Sequence, residues 1–172
     1  MRVGHERGVL VFKPIDFDAH THVCIAFRRD TFISGFGWDG FFAKEGANGE
    51  KYLERLRAHS LSFPEGNVHA WQNGEIVGQL EMRVVDDPRR GHVSLFYLAQ
   101  HLRGSGASDD LQRYALRFMR SQGVVLAQLN VSPNNARARS YYRKHGWQDR
   151  GPSPGRDDML LMELCLAIDA PL

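Results

Sequence analysis

The chain has 172 residues, and its 22 Lys and Arg residues against 20 Asp and Glu residues leave a net charge of +2. This length suits one compact domain with a sizeable core, and the balanced charge excludes a general electrostatic footprint for nucleic acid. The two cysteines, Cys24 and Cys165, do not make a disulfide framework, and both are expected to be reduced and buried. Because the charged N-terminus lacks an apolar signal segment and no apolar run is long enough to span a bilayer, we expect a soluble cytoplasmic protein.

The N-terminal part of the chain predicts one strand and two helices. The apolar residues 9–12 indicate a first strand, which closes at Pro14. Asp18 is expected to cap the first helix, and helical spacing returns over residues 51–59. Between the two helices, residues 34–49 mix five glycines with aromatic side chains. We interpret this segment as a loop or lid.

The spacing of apolar residues changes to that of strands from Asn67 onward. The Asn-Gly pair at residues 73–74 is typical of a type I′ hairpin, because both positions of that turn need a positive φ. The strand over residues 76–85 is followed by a second turn over residues 86–91 and a strand over residues 93–99. Three consecutive antiparallel strands are therefore predicted.

The C-terminal half alternates helices with strands. Apolar residues at Leu111 and at the i+4 and i+7 positions after it predict a buried helix face, and Gly123 ends that helix. A strand over residues 124–131, a helix over residues 135–145 and a strand over residues 159–166 follow. The order β-α-α-β-β-β-α-β-α-β predicts an α+β fold with a mixed central sheet.

A glycine-rich segment stands between the strand at residues 93–99 and the next helix. Gly104 and Gly106 let the main chain approach a phosphate closely, and Arg103 adds a positive charge. Amides at a helix N-terminus attract anions, so a diphosphate is the natural ligand. The Gly-Lys-Ser/Thr of a P-loop is missing, and Asp109 stands where a dinucleotide-binding fingerprint needs Gly or Ala. The alternative is a turn that only reverses the chain.

Two segments resemble the Gcn5-related N-acetyltransferase (GNAT) superfamily. Residues 103–108, Arg-Gly-Ser-Gly-Ala-Ser, are similar to its motif A, Arg/Gln-x-x-Gly-x-Gly/Ala, although Ser108 replaces the last residue. Residues 131–147 are similar to its later helix, Asn-x-x-Ala-x-x-x-Tyr-x-x-x-Gly-Phe. The residues in register are Asn135, Ala138, Tyr142 and Gly146, with Trp147 in place of Phe. The order and separation of the two motifs agree with that superfamily.

This resemblance implies the architecture of the whole chain. We expect a single N-acetyltransferase domain over residues 1–172, with a mixed, mostly antiparallel sheet and helices on both faces. A β-bulge would splay the fourth and fifth strands, and pantetheine would insert into the gap and pair with the backbone near Leu98 and Ala99. Residues 1–66 would build the side that receives the acceptor amine, and residues 67–172 would form the sheet and the coenzyme A-binding core.

The resemblance also implies an activity. We expect transfer of an acyl group, most simply acetyl from acetyl-CoA, to a primary amine of a small molecule or peptide by direct attack in a ternary complex. The residues expected to bind the coenzyme are Leu98, Ala99, Arg103, Gly104, Ser105, Gly106, Ala107, Ser108 and Asn135. Asn135 can also cap its helix, and the two roles are compatible. The histidines form no HExxH pattern, so no metal is expected. A homodimer is an expectation from the superfamily.

Tyr142 is the candidate that protonates the departing thiolate, because a phenol with a pKa near 10 is a suitable donor. The alternative is a core aromatic residue. Four side chains in or near the antiparallel strands are candidates for the general base: Glu81, His69, His92 and Asp86. We choose Glu81, because a carboxylate in an apolar stretch is costly unless it is useful. Its alternative is the solvent-facing side of a strand.

Two other functions remain open at this point. One is a coenzyme A-binding sensor without chemistry, which the presence of Tyr142 disfavours. The other is a transferase for a longer acyl or an aminoacyl donor. The glycine- and aromatic-rich residues 34–49 carry no motif that identifies the acceptor.

Overall fold

The computed structural model describes residues 8–85 and 89–166. Within these ranges the chain forms seven strands and five α-helices. They are β1 (Val11–Pro14), α1 (Thr21–Phe36), α2 (Phe41–Glu45), α3 (Glu50–Ser62), β2 (Asn67–Gln72), β3 (Glu75–Val84), β4 (Arg90–Leu98), α4 (Ala107–Ser121), β5 (Leu126–Val131), α5 (Ala136–Lys144), β6 (Gln148–Ser153) and β7 (Arg156–Cys165). None of these helices has the length and apolar character that a membrane span requires.

One sheet in the order β1-β2-β3-β4-β5-β7-β6 contains all seven strands. Only the β4–β5 pair is parallel, and the other neighbours are antiparallel. The predicted α+β class with a mixed, mostly antiparallel sheet is therefore confirmed. The Asn-Gly turn between β2 and β3 is also confirmed, since Asn73 and Gly74 have φ angles of 51° and 82°.

The two faces of the sheet are covered by different helices. The larger core lies under α4 and α5, where Leu111, Phe118 and Tyr142 pack with Leu80 and Met82 of β3. The smaller core lies under α1, α2 and α3 and contains Ile15, Cys24, Phe41, Tyr52 and Leu56. Helices on both faces were expected, and this arrangement places α1 to α3 opposite α4.

The start of α1 differs from the prediction. The helix begins at Thr21, and the preceding His20 makes no capping hydrogen bond through its side chain. Asp16, and not Asp18, organises the turn before it, because its Oδ1 accepts from the amides of Asp18 and Ala19 at 2.9 and 3.1 Å. The prediction that Asp18 caps the helix is wrong.

The segment read as a loop or lid is partly helical. Helix α1 continues to Phe36 and ends at Gly37, whose φ is 76°. After a short turn the chain forms α2. Phe41 is buried in the smaller core, so one of the aromatic residues in this segment packs against α3 instead of covering a cavity.

Two further predictions were wrong. Strand β6, which pairs with β7, was missed because its sequence QDRGPS contains Gly151 and Pro152, and proline is tolerated only at a sheet edge. Of the two cysteines, Cys24 is buried as expected, whereas Cys165 is exposed. Cys165 is the last residue of β7, and the residue after it, Leu166, is the one that is buried in the larger core. The predicted turn at residues 86–88 lies outside the described residues.

The predicted splay of the fourth and fifth strands is present. The parallel pairing of β4 with β5 ends at Val93, and residues 94–98 of β4 have no partner in β5. In the β3–β4 register Glu81 pairs with Leu95 and the next residue of β3 pairs with Val93, so Ser94 is an extra residue, a β-bulge. Arg28 Nη1 of α1 donates to the Ser94 carbonyl at 2.6 Å, which fixes the bulge.

A buried polar network joins β3 to the helices on its α3 side. Glu81 Oε1 accepts from the Tyr52 hydroxyl at 2.5 Å and from Gln79 Nε2 at 2.8 Å. Gln79 Oε1 lies 3.0 Å from His69 Nε2, which in turn lies 3.5 Å from Cys24 Sγ. Glu81 is only 5% exposed, so its interpretation as part of a solvent-facing strand surface is wrong.

We predict that Tyr52→Phe lowers the free energy of unfolding by about 1–3 kcal/mol, because it removes a donor from a buried carboxyl group. Urea unfolding measures this loss. The matched control is Tyr114→Phe, whose hydroxyl donates to the Glu65 carbonyl at the surface, and we expect it to cost about 1 kcal/mol or less. Equal losses in the two variants would show that the network does not depend on the Tyr52 hydroxyl.

Candidate functional site

The divergence of β4 from β5 opens a cleft of about 550 Å³ on the α4–α5 side of the sheet. We call it the loop-side cleft. It is lined by Phe96 and Leu98 of β4, by Gly104 and Gly106 of the loop before α4, and by Tyr142 of α5. The strand end, the glycine loop and α5, which the sequence pointed to separately, therefore meet at one place.

The glycine loop presents free amides to this cleft. Gly104 and Gly106 have φ angles of 81° and 88°, which glycine adopts without strain. In the described part of the chain the amides of Gly104, Gly106 and Ser108 have no hydrogen-bond acceptor, whereas Ser105 and Ala107 bond within the loop. Three free amides at the first turn of α4 form a site for an anion.

The space beside this loop is open. A β-carbon added at Gly104 would meet no atom within 4 Å. Arg137 and Lys144 of α5 also line the cleft and bring positive charge, which Asp109 of α4 partly offsets. Asp109 is itself engaged, because its Oδ1 lies 3.0 Å from His145 Nε2 and accepts from the Tyr141 hydroxyl at 3.3 Å. The residues present fit a diphosphate.

Arg103 braces the loop against the rest of the fold. Its Nε donates to the Leu98 carbonyl at 2.9 Å, and its Nη2 lies 3.3 Å from Asp30 Oδ2 of α1. The same Asp30 oxygen accepts from the Tyr97 hydroxyl at 2.6 Å. Arg103 thus lines the cleft with its position fixed and its charge partly neutralised by Asp30.

The backbone of β4 offers donors on the side of the gap. Ala99 N–H donates to the Val77 carbonyl of β3 at 2.8 Å, so it is already used inside the sheet. The Leu98 carbonyl faces the other way, towards Arg103. Since peptide directions alternate along a strand, the amides of Phe96 and Leu98 face the gap. Of the two residues expected to pair with pantetheine, Leu98 lines the cleft and Ala99 does not.

Two residues of the later motif lie at the inner end of the cleft. Asn135 Oδ1 accepts from the Ala138 amide at 3.1 Å, which confirms that it caps α5. Tyr142 packs between the rings of Phe96 and Trp147. Its hydroxyl has no hydrogen-bond partner among the described residues, and burial raises the pKa of Tyr142 above its ordinary value of 10. This phenol keeps its proton at neutral pH.

A smaller cavity of about 170 Å³ continues from Tyr142, Phe96 and Asn135 through the gap to Ser94 and Asn130. We call it the connecting cavity. It leads to a third cleft, of about 550 Å³, on the side of α2 and α3. Ser94 and Asn130 line both. The gap between β4 and β5 is therefore open from one side of the molecule to the other.

The third cleft is rich in positive charge, and we call it the cationic cleft. Five of the described residues that line it carry a guanidinium or ammonium group, and Glu45 is the one carboxylate among them. The five are Arg28, Lys44, Arg55, Arg83 and Arg156. Glu45 is paired with Arg55 at 2.9 Å and Arg156 with Asp158 at 3.3 Å, so fewer than half of these cations have an ion-pair partner among the described residues.

The sequence model of the Acetyltransferase (GNAT) family matches residues 36–147, which is more than half of the chain. This chain belongs to the GNAT acetyltransferase family. The match includes the glycine loop, α5 and all of β4, the elements that line the loop-side cleft. No curated protein matches the chain significantly in sequence.

Solved structures share the GNAT fold with this chain. The PaiA N-acetyltransferase of Thermoplasma acidophilum, in complex with coenzyme A, is 16% identical with a TM-score of 0.75, covering 91% of this chain and 99% of that one. A GNAT-family acetyltransferase of Staphylococcus aureus Mu50 is 16% identical with a TM-score of 0.72, covering 92% and 100%. Arabidopsis thaliana Naa50, in complex with the bisubstrate analogue CoA-Ac-MVNAL, is 14% identical with a TM-score of 0.63, covering 90% and 97%.

The candidate bases of this GNAT protein lie in two different places. Glu81 and His69 belong to the buried network under α1 and α3, and neither lines the three clefts. His92 of β4 lines the cationic cleft. Burial, with the charges of Arg83, Arg28 and His59, lowers the pKa of His92 to about 4. Asp86 lies outside the described residues.

The buried thiol has no role in this arrangement. Burial, with a smaller effect of Glu81, raises the pKa of Cys24 to about 12, so the thiolate needed for an acyl-enzyme does not form at neutral pH. Nor do the described residues contain a group of three or more His, Cys, Asp or Glu side chains placed to hold a metal ion.

Sequence reasoning missed the cationic cleft. Its five cationic side chains come from α1, α2, α3, β3 and β7, and no regular spacing along the chain relates them. The pairing of Arg83 with His92 across β3 and β4 could have been predicted, because the two strands were predicted as neighbours. Their distance from Arg28 and Arg156 depends on the tertiary fold alone.

We predict that the free energy of unfolding falls as the pH falls from 6.5 towards 4, and that His92→Gln removes part of this fall. The folded protein keeps His92 neutral down to a pKa of about 4, whereas the unfolded chain binds the proton near the ordinary value of 6.5. Protonation therefore favours the unfolded state in this window. Urea unfolding at several pH values measures the effect, and the exposed His101→Gln serves as control. A wild-type slope in His92→Gln would contradict the placement of this imidazole.

Proposed function

We propose that the protein transfers an acetyl group from acetyl-CoA to a primary amine by direct attack in a ternary complex. The observation that carries the proposal is the continuous opening through the sheet, with Tyr142 where the loop-side cleft meets the connecting cavity. Donor and acceptor can approach from opposite sides and meet in the gap. Membership of the GNAT acetyltransferase family supports this reaction, as does a structural relative that holds a coenzyme A bisubstrate analogue.

The loop-side cleft is the proposed donor site. The amides of Gly104, Gly106 and Ser108 would hold the diphosphate, and Arg137 and Lys144 would add positive charge. The amides of Phe96 and Leu98 would pair with pantetheine as a neighbouring strand does. Asn135 keeps its side-chain amide nitrogen available to the cleft, because its Oδ1 is the capping atom.

The chemistry divides between the two ends of the opening. Acetyl-CoA supplies an acetyl thioester. Tyr142, which is protonated at neutral pH, would donate its proton to the departing sulfur; burial raises its pKa and makes the phenol a weaker acid, so this transfer depends on the hydroxyl lying close to the sulfur. His92, unprotonated on the other side of the gap, would accept the proton of the attacking amine through water; because its pKa is lowered to about 4 it is a weak base, so the amine must enter already neutral. In this assignment Glu81 holds the fold and His92 replaces it as the base.

The volume of the connecting cavity limits the size of the acyl group that can be transferred. Its volume of about 170 Å³ accommodates a short acyl group and the amine that attacks it. A long acyl chain would have to extend into the cationic cleft, where charged side chains disfavour it. We therefore propose acetyl over a longer acyl group, and the supply of a proton donor at Tyr142 favours an enzyme over a sensor.

We predict that Tyr142→Phe lowers kcat about a hundredfold while leaving the Kd for acetyl-CoA nearly unchanged, because the hydroxyl acts on the leaving group and the ring still packs. Thiol release with a panel of amines gives kcat, and calorimetry gives Kd. Tyr141→Phe is the matched control, since its hydroxyl bonds to Asp109, and we expect it to keep the wild-type kcat. A weaker Kd that accounts for the whole loss in Tyr142→Phe would assign the hydroxyl to binding.

We predict that Gly106→Glu abolishes acetyl-CoA binding in calorimetry. The substitution places a negative side chain among the loop amides that would hold the diphosphate. Gly151→Glu is the control, because Gly151 has a similar φ of 82°, lies away from the loop and would meet no atom within 4 Å. Unchanged binding in a folded Gly106→Glu protein would remove the diphosphate from this loop.

A further inference from the structure

We propose that the acceptor is a small amine that also carries an anionic group, such as a carboxylate or phosphonate, and that the cationic cleft binds this group. The inference rests on the proposed acetyl transfer and identifies the substrate class of its acceptor side. The expected acceptor is a single small molecule with two functional groups, an amine that reacts and an anionic group that is bound.

The first support is the uncompensated charge of the cleft. Arg28 is engaged with the Ser94 carbonyl, Arg55 with Glu45, and Arg156 with Asp158 at 3.3 Å. Within the described residues, Lys44 and Arg83 form no ion pair within 4.0 Å. Two cations in a partly enclosed space attract an anion more strongly than the same cations would on an open surface.

The second support is a pair of residues that line this cleft, each of which has a buried polar atom without a partner. Arg83 Nε and Asn130 Oδ1 are both shielded from solvent, and neither has a hydrogen-bond partner in the described part of the chain. An unsatisfied buried donor is costly, and a guanidinium nitrogen is best satisfied by an anionic oxygen. The guanidinium of Arg83, which makes no hydrogen bond or ion pair in the described part of the chain, therefore matches an acidic group on a ligand, and Asn130, which also lines the connecting cavity, can meet the amine.

The third support comes from the neighbouring imidazole. Arg83 and Arg28 add to burial in lowering the pKa of His92, so the positive potential extends to the position proposed for the base. A bound ammonium would feel the same potential, which lowers the pKa of the amine and favours its neutral, nucleophilic form. Diamines and lysine side chains, which bring additional positive charge and no anion, are disfavoured by this cleft.

The dimensions of the site favour a small molecule. The cationic cleft, with a volume of about 550 Å³, is in the range of small-ligand sites, and the connecting cavity adds about 170 Å³ for the reacting groups. Amino acids and aminoalkylphosphonates share the required chemistry, an amine separated from an anion by a short chain. Acidic peptides form a different class, and the experiment distinguishes them.

The experiment measures kcat/KM at saturating acetyl-CoA for matched acceptors. The pairs are L-methionine with L-methioninamide and 2-aminoethylphosphonate with ethanolamine, and putrescine and an acidic pentapeptide are added. We expect the anionic member of a pair to exceed the neutral member by about tenfold or more, because a charge-assisted hydrogen bond is lost in the neutral one. This preference runs against intrinsic reactivity for the first pair, since the amide has the less basic amine and more of it is neutral.

The variant Arg83→Gln should remove most of this preference while the Kd for acetyl-CoA stays at the wild-type value. Arg150→Gln is the control, because Arg150 pairs with Glu163 on β7 and does not line the cleft. A second readout is independent of turnover and of the variant: N-acetyl-L-methionine should raise the Tm of the wild-type protein more than N-acetyl-L-methioninamide does.

The outcomes separate the two proposals. Acetyl transfer without preference for the anion in either pair, or with the acidic pentapeptide or putrescine as the best acceptor, overturns the inference and leaves the acetyltransferase proposal standing. Equal Tm shifts from the two acetylated products overturn the inference as well. Failure of the wild-type protein to bind acetyl-CoA overturns both.

Discussion

The bulge at Ser94 is the constraint on which the site depends. Because one extra residue interrupts β4 there, the parallel pairing with β5 ends at Val93 and the rest of β4 turns away. The exposed edge of β4 and the space beyond it form the opening through the sheet. Arg28 stabilises the bulge through the Ser94 carbonyl and also lines the cationic cleft. One side chain of α1 thus links the backbone irregularity to the charge of the acceptor side.

The buried network under α1 and α3 holds β3, the strand that pairs with β4 beside this opening, in place. Glu81 stands on β3 directly opposite Leu95, the residue after the bulge, and its hydrogen bond to Tyr52 ties the strand to α3. A carboxylate in an apolar stretch needs a stabilising partner. Glu81 has one in a hydrogen-bond network that joins β2, β3, α1 and α3, and a buried group satisfied in this way is poorly placed to collect a proton from a substrate.

Much of the fold and of the donor side could be predicted from the sequence because the signals are local. Asn73 and Gly74 specify their turn, Asn135 caps its own helix, and the glycine loop stands between a strand and a helix in chain order. Strand β6 could not be predicted, since its pairing with β7 overrides a sequence of poor strand propensity. The cationic cleft could not be predicted either, because Arg83 and Arg156 come to line the same space only after distant segments fold together.

The loop-side cleft and the cationic cleft differ in how their charges are balanced, so the two sides of the site suit different ligands. On the loop side Arg103 and Lys144 are accompanied by Asp30 and Asp109, and the donors that face the cleft include the free amides of the glycine loop. On the other side side-chain cations dominate. A diphosphate fits the first arrangement because a row of amides can contact several oxygens at once. A compact carboxylate or phosphonate fits the second, since a few guanidinium donors satisfy it completely. In the proposed reaction the same sheet would therefore select two different anions on its two sides and bring the groups attached to them together at Tyr142.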